Sequence, residues 1–179
     1  MTHKFDTKTI PALFVKNLPE GLKILSKKGK SFVVVDDLRC PRGHSLLSDE
    51  IKFHGAPAIG FTVKGGGIQG KMYLDPFWGL HEKLYDFMFQ SCDKPPIIRA
   101  FCPECGVSLM KKKKCETRAC CAEEYIVFHL PGGNAMESCA QWGCPEHSLK
   151  ISDMPGDVMA AVKKINYPEI HSHIEAIGF

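Results

Sequence analysis

The chain has 179 residues, 44% of them hydrophobic and 24% charged, and a net charge of +3 from 23 basic and 20 acidic side chains. That length suits one domain or two small ones able to bury a core, and the composition excludes disordered and fibrous classes. The near-balanced charge excludes nucleic-acid recognition by bulk field alone, and no apolar run reaches the roughly 18 residues of a membrane span.

The first 21 residues, MTHKFDTKTIPALFVKNLPEG, carry lysine inside every apolar stretch and lack a small-residue cleavage site, so a cytoplasmic protein is expected. Pro11 opens a short helix with Leu13, Phe14 and Leu18, and Pro19 stops it. Ser26 to Lys30 (SKKGK) is a basic turn, and Phe32-Val33-Val34-Val35 reads as a buried strand. Ile59, Phe61 and Val63 alternate with smaller or polar residues up to Gly65-Gly66-Gly67, and Ile68, Gly70, Met72 and Leu74 alternate after it. Period two on both sides of a glycine turn predicts a hairpin. Phe77, Leu80, Leu84, Phe87 and Met88 fit one helix face, started by Asp75-Pro76 and closed by Pro95-Pro96. Tyr125 to Leu130 (YIVFHL) reads as another buried strand, followed by a Pro131-Gly132-Gly133-Asn134 turn. A helix capped by Ser152 or Asp153 carries Val158, Ala161, Val162 and Ile165 on one stripe. Pro168 starts a second, with Ile170, Ile174 and Ile177, ended by Gly178.

Nine cysteines is a high and odd number, so full pairing within the chain is impossible. In a reducing compartment such clusters bind metal or do chemistry more often than they form disulfides. Three segments look alike: Cys40-Pro41-Arg42-Gly43-His44-Ser45-Leu46, Cys102-Pro103-Glu104-Cys105-Gly106-Val107-Ser108-Leu109 and Cys144-Pro145-Glu146-His147-Ser148-Leu149. Each sets two soft donors on a tight turn, where proline presets φ and both donors can point at one ion. Backbone N–H groups on such a turn reach the sulfurs and offset thiolate charge. Cysteines that were only small buried hydrophobes would lie in the strands, not on Pro/Gly turns.

The segment FCPECGVSL resembles the knuckle of zinc ribbons and rubredoxins, and the whole pattern resembles uncharacterised bacterial zinc-ribbon-like proteins. Over some eight residues the resemblance implies a metal-binding turn and no activity. One Cys-x-x-Cys accompanied by histidines favours zinc over the iron of rubredoxins.

Structural zinc takes four ligands, so two ions are expected. One is assigned to Cys102, Cys105, Cys115 and Cys120, which are close in sequence and cheap to close. The other is assigned to Cys40, His44, Cys144 and His147, clasping the start of the core to its end. Cys121 is an alternative to Cys120. Cys139, spaced from Cys144 as Cys-x4-Cys, is an alternative to His147 or Cys144. Cys92 reads as an incidental thiol, His129 as a satisfied structural histidine, and His171 and His173 as poor co-ligands on different helix faces. His81 with Glu82, after Phe77-Trp78, is a pocket candidate.

The expected fold is α+β, a small antiparallel β core built around zinc knuckles with helices at the N- and C-termini. Residues 1–30 and 151–179 would pack on a zinc-binding core of residues 31–150 or on a partner. The leading reading is a metal-binding protein with two structural zinc sites, acting as an interaction module and not as an enzyme. A protein is the expected partner, with nucleic acid as a second partner through Lys111, Lys112, Lys113 and Lys114. Two other readings stay open: a zinc-dependent hydrolase with an open Cys/His site and Glu146 as base, and a redox or metal-responsive protein using Cys120, Cys121 and Cys139. No phosphate-binding loop, His-Glu-x-x-His or Gly-x-Ser-x-Gly motif occurs.

Overall fold

The computed structural model describes residues 9–27, 29–89 and 94–165. Strand predominates over helix, and the strand pairings are antiparallel. Helix α1 (Ala12–Lys16) follows Pro11 and buries Phe14, while Leu13 faces solvent. Strands β1 (Leu22–Lys27) and β2 (Lys30–Val35) form a hairpin whose Phe32 to Val35 run is wholly buried.

The second sheet is built on the long strand β4 (Ala56–Gly65). Strand β3 (Leu47–Phe53) pairs with its first half, and β7 (Arg99–Phe101) with its second half. Its other edge carries β5 (Ile68–Leu74) and then β6 (Lys83–Tyr85). The predicted glycine hairpin is β4–β5, in register from Ile59↔Leu74 to Gly65↔Ile68. Alternation places Ile59, Phe61 and Val63 in the core at 1% exposure or less. Gly70 has no room for a side chain, because a Cβ there would lie 2.3 Å from Asp86 Oδ1. That same oxygen accepts the Lys71 N–H at 2.6 Å.

The third sheet is a meander of β8 (Met110–Lys112), β9 (Glu124–His129), β10 (Ala135–Cys139) and β11 (His147–Lys150). The chain passes from the second sheet to the third through the turn after β7, where Phe101 bridges Ser108 and Leu109 N–H donates to the Ala100 carbonyl. Arg39 bridges both Ser45 and His129, so the 40–44 turn also sits where the two sheets meet. Phe61 packs on Phe128 between the sheets, and Phe32 on Phe77 beside them. Helix α2 (Gly156–Lys163) closes the core with Val158 and Val162, and Trp78 Nε1 donates to the Val162 carbonyl at 2.8 Å. One buried cluster runs from Ile10 to Ile165, so both flanking segments contribute to it.

Three local expectations change. Residues 77–91 do not form a helix where described. Phe77 bridges Val34, Gly79 takes φ +90° and residues 83–85 pair as β6. The helix-like spacing mixes buried Phe77, Leu80 and Phe87 with exposed Leu84 and Met88, so it does not mark one buried face. Helix α2 starts after Pro155 and not at Ser152 or Asp153, and Asp153 itself lies at φ +62°. His129, read as a satisfied structural histidine, has an exposed side chain at the end of β9 and joins the fold through its backbone bridge to Arg39. The second C-terminal helix, Cys92, His171 and His173 lie outside the described residues. Among the described residues no helix is long and apolar enough to cross a membrane.

Candidate metal centres

Two groups of four soft donors converge, each with all its donor atoms within 4.8 Å of one another. The first is Cys40, His44, Cys102 and Cys105; the second is Cys115, Cys120, Cys139 and Cys144.

The first group is made by two similar turns. Cys40 N–H donates to the His44 carbonyl and Gly43 N–H to the Cys40 carbonyl, both at 2.9 Å. Cys102 N–H donates to the Val107 carbonyl and Gly106 N–H to the Cys102 carbonyl, again at 2.9 Å. Gly43 and Gly106 take φ +88° and +68°, with open space where a Cβ would stand. Glycine is required there for the left-handed backbone and not for room. His44 presents Nδ1 to Cys40 Sγ at 3.5 Å, while its Nε2 lies 3.3 Å from Glu104 Oε1. A carboxylate behind the distal ring nitrogen orients a metal-ligating histidine and fixes its tautomer.

The second group is made by two Cys-x4-Cys loops. Cys120 N–H donates to the Thr117 carbonyl and Cys144 N–H to the Gln141 carbonyl. The residue two beyond the first cysteine of each loop turns its N–H onto the sulfur: Thr117 onto Cys115 at 3.5 Å and Gln141 onto Cys139 at 3.4 Å. Arg42 does the same for Cys40 at 3.3 Å. One loop joins β8 to β9 and the other β10 to β11, so the meander delivers both to the same end of the sheet.

The spacing fits a tetrahedral ion. Bonds of about 2.3 Å to sulfur and about 2.05 Å to nitrogen set edges of about 3.8 Å for S···S and about 3.5 Å for S···N. The sulfurs of Cys40 and Cys105 are 3.9 Å apart, those of Cys115 and Cys144 3.8 Å, and those of Cys120 and Cys139 3.6 Å. The Cys40–His44 edge is 3.5 Å. Both groups suit a metal ion such as zinc.

Electrostatics point the same way. Burial raises the Cys40 thiol, but the N–H groups of Arg42 and His44 outweigh it and bring it to about 7. Burial likewise opposes Cys115, and the Thr117 N–H with its other polar neighbours brings it to about 6. Cys102, Cys120 and Cys139 are pushed up, chiefly by burial. Three sulfurs in the first group and four in the second, packed this closely, cannot all ionise against one another, and a cation at their centre removes that conflict.

The grouping differs from the expected partition. Cys102 and Cys105 precede β8, whereas Cys115 and Cys120 follow it, so an extended strand carries the two pairs to opposite ends of the sheet. Cys144 ends the 139–144 loop and does not begin a knuckle with His147. His147 stands outside both groups, its Nδ1 2.7 Å from the Pro145 carbonyl and its ring against Trp78 and His81. Cys121 is exposed and outside the tetrad. Glu146 is held by Lys163 Nζ at 2.5 Å and by Thr117 Oγ1 at 3.4 Å. Two of the four clustered lysines are committed to one buried carboxylate, Lys113 to Glu137 at 2.8 Å and Lys111 at 3.5 Å.

A third group escaped sequence reasoning: His54, Asp75 and Glu82, again with donors within 4.8 Å. Asp75 and Glu82 flank one connection, His54 comes from another, and the three share no motif. Comparison with protein-family models, with curated proteins and with solved structures finds no match to this chain.

Proposed function

We propose that each sulfur-rich group binds one zinc ion as a closed structural site, held by three cysteines and one histidine in the first and by four cysteines in the second. The chain is then a zinc-stapled β scaffold that acts by contact with a protein partner. The observation that carries this reading is the agreement of four donor–donor edges with the edges of a zinc tetrahedron. His44 in the donor set favours zinc over iron at the first site. With four protein donors each, neither site keeps a position for water or substrate, which supports a structural role over a hydrolytic one. Zinc joins the two sheets at the first site and ties the loop end of the third sheet at the second, so binding free energy becomes folding free energy.

A protein partner is supported by the surface around β6, where Met88 is 87% exposed beside half-exposed Leu84 and Tyr85. Contact with phosphates through the lysines at 111–114 is less well supported, since Glu137 neutralises part of that charge.

Elemental analysis of the anaerobically purified chain tests the core of this reading. Two tightly held zinc ions per chain are expected. Replacement by Co2+ should give thiolate charge-transfer bands and tetrahedral d–d bands that saturate at two equivalents. Fewer than two ions, or a coloured iron form, would overturn it.

A further inference from the structure

We propose that His54, Asp75 and Glu82 form a third metal site, of nitrogen and oxygen donors, that takes an exchangeable divalent cation of the Mn2+/Fe2+ class at the wall of a cavity. It is independent of the two sulfur-rich sites in residues and in chemistry.

Two connections of the second sheet, the β3–β4 turn and the β5–β6 loop, bring the donors together. His54 and Gly55 are the two-residue turn between β3 and β4, with φ +51° and +85°. Asp75 follows the last residue of β5, Glu82 precedes the first residue of β6, and Asp75 N–H donates to the Glu82 carbonyl at 3.0 Å. The backbone therefore holds the two acidic residues side by side.

Asp75 points to a ligand. Its side chain has no solvent exposure. Oδ1 accepts the Phe77 N–H at 2.8 Å, whereas Oδ2 accepts no hydrogen bond. Enclosing a carboxylate oxygen without a donor is costly unless a cation compensates it. Oδ2 faces His54 Nε2 at 3.2 Å, and Glu82 Oε2 lies 3.7 Å from the same nitrogen. Donors at about 2.1 Å from one ion are about 3.0 Å apart in an octahedron and about 3.4 Å in a tetrahedron. The first contact already falls in that span. The second needs a movement of a few tenths of an ångström by Glu82, whose side chain is 40% exposed.

One imidazole and two carboxylates select borderline and hard cations, unlike the thiolate sets elsewhere in the chain. Asp75 and Glu82 also line a cavity of about 280 Å³, together with Leu74, Trp78, His81 and His147. Three protein donors leave positions for water or for an oxygen ligand arriving from that cavity. A structural His–Asp ion pair would account for the short contact alone, but not for the second carboxylate or the opening onto the cavity.

The probe is Mn2+, added to the full chain with its two sulfur-rich sites loaded with zinc. Electron paramagnetic resonance of the free ion should show one Mn2+ bound per chain with no zinc released. Water-proton relaxation should be enhanced by the bound ion, because water completes its shell. Glu82→Gln and Asp75→Asn should each weaken Mn2+ by at least the roughly tenfold that loss of a mere outer-shell partner costs. Cys121→Ser, at an exposed thiol outside both tetrads, should leave Mn2+ affinity unchanged. If Asp75→Asn unfolds, the half-exposed Glu82→Gln decides alone. Mn2+ binding that is absent, or equal in wild type and Glu82→Gln, would overturn the site. Bound Mn2+ without relaxation enhancement would overturn its opening onto the cavity.

Discussion

Replacing Cys105 and Cys115 together separates the two ways of pairing the knuckles. In the structure these residues belong to different tetrads, so Cys105→Ser should lose one zinc, Cys115→Ser the other, and the double variant both. If Cys102, Cys105, Cys115 and Cys120 shared one ion, the double variant would still hold one zinc. The stability cost also differs between sites. The first tetrad closes a loop of roughly 60 residues between His44 and Cys102, worth about 4 kcal/mol of chain entropy in the unfolded state. The second closes roughly 20 residues between Cys120 and Cys139, worth about 3 kcal/mol by the same relation. Urea unfolding followed by tryptophan fluorescence, with zinc held in excess, should therefore find Cys105→Ser less stable than Cys139→Ser by about 1 kcal/mol. One zinc retained by the Cys105/Cys115 double variant would refute the pairing. An equal or reversed stability order would refute the loop-entropy reasoning.

Other substitutions test the scaffold. Glu137 is 3% exposed; burial raises its carboxyl, but Lys113 outweighs that and holds it below its ordinary 4.5. Its contribution is therefore present above about pH 4.5 and lost as pH falls through the lowered native value. Glu137→Gln should cost about 1–3 kcal/mol at pH 7 by urea unfolding, with the gap to wild type closing below pH 4.5. Gly70→Ala must push away Asp86, which then loses the Lys71 N–H, and should lower stability by about 1–3 kcal/mol in the same assay. Trp78→Phe leaves the Val162 carbonyl without its donor and gives up part of the indole's buried contact, so α2 should show faster amide exchange and stability should fall by at least about 1–2 kcal/mol.

Sequence alone determined the elements that depend on local chemistry. The β4–β5 hairpin was legible because period-two alternation and a glycine turn are short-range signals, and Ile59, Phe61 and Val63 are buried as that alternation requires. A Cys-Pro turn with glycine after it is likewise a local device, and eight of the nine residues singled out as ligands, all but His147, stand in the two groups that could hold a metal ion. Which donors meet was decided by the tertiary structure. A meander alternates its loops between the two ends of a sheet, so Cys105 and Cys115, near in sequence, are separated by β8, while Cys40 and Cys105, 65 positions apart, come within 3.9 Å. Read by spacing, Cys139-x4-Cys144 matches Cys115-x4-Cys120, and that equality was the available sign that these two loops belong together. No such sign exists for His54, Asp75 and Glu82. They meet because two connections, β3–β4 and β5–β6, lie at the same end of one sheet, and strand register is settled by burial across the whole fold, not by the residues it happens to bring together.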